Sequence, residues 1–218
     1  MSSFEKFTQN RFFIFGEKLG VLIMLSSLWL LFSLPLVTIG ASTAALYYAV
    51  IKRFDHDSET PLQDFIFSFR QNLRQGIILT LIYLIYGALI AFDIYAARNG
   101  FNGQRLPAFY EQIAYVLLLP IAFTLPYVFS YLARFSNSIK ETIKLSFMFS
   151  ATHFMHTAGI LLLMIASIAV MVLFPPSVLL VPVICIYLCS RMIEKDFAQA
   201  QRQQEEQETD STEEDDHS

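Results

Sequence analysis

Five stretches of this chain carry almost no charge over a length that matters: 19–37, 76–92, 113–132, 159–174, and 178–188 with its flanks. Each approaches or matches the roughly 18–20 residues that cross the hydrocarbon core of a bilayer. Helices that cover a soluble core keep a polar face, and these runs have none. Only 16% of the 218 residues are charged, against roughly a quarter in soluble domains. The chain therefore reads as all-α, a polytopic transmembrane helix bundle.

How many crossings there are depends on the stretch from Leu34 to Tyr48. If 19–51 crossed once, the fifteen Lys and Arg would divide seven to eight between the two sides, which is no bias. If the chain turns back near Pro35 and Gly40, the segments 1–18, 52–75, 134–156 and 191–218 share one side and hold thirteen of the fifteen. The positive-inside rule makes that side cytoplasmic. The reading is thus about six spans, near 19–35, 38–54, 76–97, 110–133, 157–174 and 177–190, with both termini in the cytoplasm. The first two spans are short and form a hairpin. Pro35 disfavours helix before it, and Gly40 tolerates positive φ in a turn. A re-entrant segment over 35–54 keeps the same parity. The first run also resembles a signal-peptide core, but the parity needs it retained.

The formal charge of −4 comes from the end of the chain. Residues 194–218 hold ten acids and two bases, while residues 1–193 carry a net +4. The division is therefore a membrane domain over 1–193 and an acidic, disordered cytoplasmic tail over 194–218.

Between spans, two cytoplasmic amphipathic helices are expected. Thr60-Pro61-Leu62-Gln63 reads as a cap, an N1 proline and a capping box, followed by Leu62, Phe65, Ile66, Phe69 and Leu73 at helical spacing. Ser138-Ile139-Lys140-Glu141 is a second capping box, with Ile139, Ile143, Phe147 and Phe154 on one face. Phe4, Phe7, Phe12, Phe13 and Phe15 make an interfacial lead-in, and Trp29 is an aromatic anchor. Asn99-Gly100 and Asn102-Gly103 mark the outer loop, and Pro120 and Pro126 kink the fourth span. A short echo joins the two halves: Arg53-Phe54, Phe65-Ile66-Phe67-Ser68, Gly76-Ile77 recurs as Arg134-Phe135, Phe147-Met148-Phe149-Ser150, Gly159-Ile160.

Candidate functional residues are few. Asp93 is the one acid inside an apolar run, either a proton or ion site or a group paired with Arg98 at the outer interface. His153 and His156 share a helical face, but a zinc site needs a third protein ligand. Arg53 and Arg134 end inward-going spans, to snorkel to lipid headgroups or to dock a partner. Cys185 and Cys189 read as small buried residues of one helix. No nucleotide-binding loop, catalytic triad, haem motif or nucleic-acid patch is present, so neither an enzyme, a cofactor nor a nucleic-acid partner is expected.

The stretch Leu28-Trp29-Leu30-Leu31, Leu34-Pro35, Thr38-Ile39-Gly40-Ala41 and Ala45-Leu46-Tyr47-Tyr48, with Arg134-Phe135 and the helix after it, resembles the YesL-like family of bacterial integral membrane proteins. The resemblance covers about residues 10–193. Ser26 departs from it, standing where an Asn is expected. It adds Pro35, Thr38 and Gly40 to the candidate residues. That family has no established activity, and its members are linked with oligosaccharide uptake in Gram-positive bacteria. The resemblance implies a plasma-membrane protein associated with carbohydrate transport, permease-like or accessory, with the bilayer, sugar-transport proteins or a second copy as partners. The alternative is a scaffold or assembly factor that docks cytoplasmic partners.

Overall fold

A computed structural model describes residues 11–100, 108–135 and 137–216. The first phenylalanines of the lead-in, the Asn102-Gly103 turn and Arg105 lie outside them. Among the described residues there are seven α-helices and no strand: α1 (Arg11–Phe32), α2 (Ile39–Asp55), α3 (Pro61–Asn99), α4 (Ala108–Arg134), α5 (Ile139–Thr152), α6 (Phe154–Leu173) and α7 (Val181–Asp216). Three helical segments, Pro61–Asn99, Phe109–Arg134 and Phe154–Leu173, are long and apolar enough to cross a membrane. Their outer faces carry Ile85, Leu89, Val116, Leu162 and Val172, all exposed, a belt far larger than a soluble monomer presents.

The centre of the bundle is α2. Its buried face is built mostly from small residues, Gly40, Ala41, Ser42, Ala44, Ala45 and Ala49, which let neighbouring backbones approach closely. All three apolar clusters draw on it: Leu46 and Val50 meet Leu25, Phe65 and Val183; Tyr47 meets Tyr127, Ile160 and Ile193; Ala44 meets Leu79 and Phe129.

The turn before α2 is closed by side chains. The Thr38 hydroxyl reaches the carbonyl of Phe32 (2.6 Å), an acceptor freed where α1 ends, and that of Pro35 (2.8 Å), which also accepts from the Thr38 N–H. Trp29 Nε1 donates to Thr43 Oγ1 at 3.2 Å, tying α1 to α2. The one tryptophan is therefore turned into the bundle, where the sequence suggested an interfacial anchor.

Several sequence expectations need correcting. Gly40 lies within α2, and its role is close approach rather than positive φ. A β-carbon there would sit 2.2 Å from Phe129 Cε1 and 2.4 Å from Thr80 Oγ1. The first amphipathic segment is not a separate helix: α3 runs unbroken for 39 residues through Gly76. At 1.5 Å per residue it is about 58 Å long, roughly twice a bilayer core. Pro61 does start α3, but Thr60 makes no side-chain cap. Asp64 instead accepts from the Ser58 hydroxyl at 2.5 Å and pairs with Lys52. The second box forms as expected: the Ser138 hydroxyl accepts from the Glu141 N–H, and the Glu141 carboxylate accepts from the Ser138 N–H. Gly100 ends α3 with φ 80°. At the other end of the chain, α7 continues as helix to Asp216 where the sequence places a disordered tail.

The two echoed units also differ. In the first, Phe65 to Ile77 lie on the unbroken α3, whereas the second breaks at His153 (φ −108°, ψ 50°) between α5 and α6. Phe65 is fully buried and its counterpart Phe147 is exposed.

Candidate functional site

The polar residues that come together do so at one end of the bundle, where α2, α4, α6 and α7 meet. A helical stripe, Cys185, Cys189, Ile193 and Phe197, carries α7 along the interior. Residues 194–197, which composition assigns to the tail, belong to this docked section: Asp196 is fully buried and Phe197 nearly so.

Asp196 has two partners. Tyr127 OH of α4 donates to its Oδ2 at 2.9 Å, and His156 Nδ1 of α6 lies 2.5 Å from its Oδ1. Thr157 is bonded to Tyr127 OH in the same cluster. A buried carboxylate needs such partners, because an unpaired one would cost several kcal/mol. His153, a predicted candidate, stands at the edge. Its Nε2 is 3.9 Å from Asp196 and 3.3 Å from Gln199 Oε1, and its ring stacks on His156. Asp196 is thus the third group that the two histidines lacked in the sequence. It touches His156 directly, and among the described residues no set of three His, Cys, Asp or Glu is arranged to hold a metal ion.

Two residues earlier on α7, Glu194 forms an ion pair with Arg134 and accepts from Tyr47 OH at 2.9 Å. The Arg134 guanidinium also lies over the rings of Phe135 and Phe197. Arg134 is therefore bound into the protein at its side-chain end. Arg53 is likewise engaged, with Glu17 at 2.8 Å and the Ser58 carbonyl at 3.0 Å. These two arginines fasten helix ends together. Asp93 lies far from this cluster in the chain, half-buried on α3. The Arg98 expected beside it bonds instead to Glu111 at 2.8 Å and to Tyr115.

Two cavities share Tyr47. One, of about 460 Å³, is a polar vestibule lined by Tyr47, Tyr48, Lys52, Asp55, Arg134 and Glu194. The other, of about 300 Å³, lies inside the bundle among α1, α2, α4, α6 and α7 and is almost wholly apolar. Tyr47, held by Glu194, stands between them. Pro35, Thr38 and Gly40 touch neither; they set the turn and the packing that position Tyr47 two helical turns further on.

Sequence reasoning named Arg134 and His153 but missed Tyr47, Glu194 and Asp196. The signal for the last two was the three-and-four spacing of Cys189, Ile193, Asp196 and Phe197, which carries the apolar stripe past the first acids.

A family model described as "Protein of unknown function, DUF624" matches residues 22–94, a third of the chain, spanning the second half of α1, all of α2 and most of α3. It takes in the whole Leu34–Tyr48 stretch. No curated protein matches the chain. No solved structure matches it either.

Proposed function

We propose that the chain is a bacterial plasma-membrane protein of six crossings, with both termini in the cytoplasm, that serves carbohydrate uptake as a permease-like or accessory component. The threading draws on charge: thirteen of fifteen Lys and Arg fall on one side when α1 and α2 are both counted as crossings. In that arrangement the Arg134–Glu194–Tyr47 cluster and the vestibule face the cytoplasm. A reporter fused between Phe54 and Thr60 should then be active inside the cell and silent outside.

The observation that carries the transport reading is the vestibule. Its lining combines Tyr47 and Tyr48 with carboxylates and cations, Asp55, Glu194, Lys52 and Arg134. Aromatic residues flanked by donors and acceptors suit a polyhydroxylated ring. The inner cavity, almost without polar lining, does not. A saccharide is therefore assigned to the vestibule, and the reading includes no reaction. Uptake of a panel of oligosaccharides by a deletion strain tests it. Loss of uptake for at least one, restored by the wild-type gene, is the expected result, and unchanged uptake of all would overturn it.

The second reading, a scaffold that docks cytoplasmic partners, is favoured by α7, which continues past the docked section to Asp216. Purification in mild detergent separates the two: a scaffold brings down a partner in stoichiometric amount.

A further inference from the structure

The inner cavity has a definite chemistry. Its hydroxyl lining is already engaged: Ser130 donates to the Pro126 carbonyl at 2.9 Å, Ser167 to the Leu163 carbonyl at 2.7 Å, and Tyr47 to Glu194. Thr43 takes the indole hydrogen of Trp29. A space lined in this way is a poor host for water, which needs two to four polar partners, and for any ligand that must be hydrogen-bonded.

Its shape is equally informative. The lining runs from Pro182 to Ile193 on α7 and from Ile160 to Met171 on α6, a rise of about 16 Å on each. A volume of about 300 Å³ over that length leaves a section on the order of 20 Å², the width of one extended hydrocarbon chain. Met164 and Met171 in its wall can adapt to a flexible occupant.

The end at Tyr47 adjoins the vestibule, where Lys52 and Arg134 lie. Lys52 lies 3.6 Å from Asp64 and over the Tyr48 ring, with its side chain 43% exposed. One carboxylate does not exhaust the five donors of Arg134.

We propose that this cavity is a binding site for one hydrocarbon chain of an anionic amphiphile, with the head, a phosphate or carboxylate, turned toward Lys52 and Arg134. The inference is independent of any role in sugar uptake.

Trp29, the one tryptophan in the chain, lines the cavity and reports its occupancy. The full-length protein is placed in phosphatidylcholine nanodiscs and titrated with trace amounts of dibrominated amphiphiles, whose bromines quench indole emission on contact. Expected is quenching that saturates near one chain per protein and is reversed by an excess of the same amphiphile without bromine. Dibrominated phosphatidylglycerol or dibrominated fatty acid should quench ahead of dibrominated phosphatidylcholine, and whichever of the first two wins identifies the source of the chain. Ser167→Leu with Cys185→Leu should fill the cavity and abolish the saturable phase, and Lys52→Gln should reduce the preference for anionic heads. Quenching that rises in proportion to the brominated fraction, without saturation or reversal in the wild type, overturns the site. Equal quenching by all three amphiphiles overturns the head assignment.

Discussion

Gly76 of α3 lies directly against Ala41 of α2, so close that a β-carbon on Gly76 would be 2.8 Å from both the Cα and the N of Ala41. The neighbour is backbone and cannot rotate away. Gly76→Ala should therefore force α2 and α3 apart and destabilise the bundle by about 1–3 kcal/mol or more, seen as a lower unfolding temperature in detergent.

Gly40→Ala tests the same packing from the other side, with a different expectation for rescue. Its new methyl would strike the Phe129 ring and the Thr80 hydroxyl, and it would crowd the bond in which Gly40 N–H donates to Thr80 Oγ1 at 3.1 Å. A loss of about 1–3 kcal/mol is expected. Phe129→Leu should recover part of it in the Gly40→Ala background while remaining costly alone. A thermal-unfolding cycle over the four proteins checks this, and simple additivity would argue against the contact.

Removing Asp196 should cost more than removing Asp93. Asp196→Ala leaves Tyr127 OH and His156 facing a void, and losing one member of such a buried cluster costs about 3 kcal/mol or more. Asp93 is half-buried and makes no hydrogen bond or ion pair among the described residues, so Asp93→Ala should change stability by about 0.5 kcal/mol or less. Chemical denaturation of the two variants side by side measures the contrast.

Arg134 and Glu194 should show a small, specific coupling. Both side chains retain some exposure, 35% and 23%, so the pair is worth about 1 kcal/mol rather than a fully buried value. A double-mutant cycle with Arg134→Gln and Glu194→Gln gives this term. Tyr47→Phe should then cost less in a Glu194→Ala background, which removes the acceptor of its hydroxyl, than in the wild type.

The Ser138–Glu141 capping box should make the start of α5 sensitive to acid. The Ser138 backbone N–H, then its hydroxyl, hold the Glu141 carboxyl below its ordinary value. The folded state thus binds the proton less readily than the unfolded chain. The stabilisation is complete above the unfolded pKa and disappears as pH falls through the lower folded one. Protection of the amides in the first turn of α5, exchange rates being referred to the unfolded chain at the same pH, should fall over that acidic window. In Ser138→Ala that protection should be lower at neutral pH and less dependent on pH.

Local signals in the sequence were read well, and tertiary ones were not. The turn at Pro35, the Ser138 capping box, the Pro61 start and the Gly100 stop each depend on a few neighbouring residues. Gly40 was seen to matter, but its reason, the Phe129 ring 89 positions later, is invisible without the fold. Thr60 makes no side-chain cap, and its N–H bonds to the Ser58 hydroxyl, which in turn donates to Asp64. Glu194 and Asp196 were hidden by composition, because an acidic run begins where the apolar stripe has one more turn to go. Tyr47, the partner of Glu194, reads in the sequence as an ordinary aromatic residue of the spans.

The unbroken course of α7 has a mechanical consequence. Its 36 residues form a rod about 54 Å long, gripped near its middle by Arg134, Tyr47, Tyr127 and His156. A rod held there behaves as a pivoted beam. Any tilt imposed on the buried arm by what fills the space beside Cys185 and Cys189 is delivered, with opposite sign, to the acidic arm.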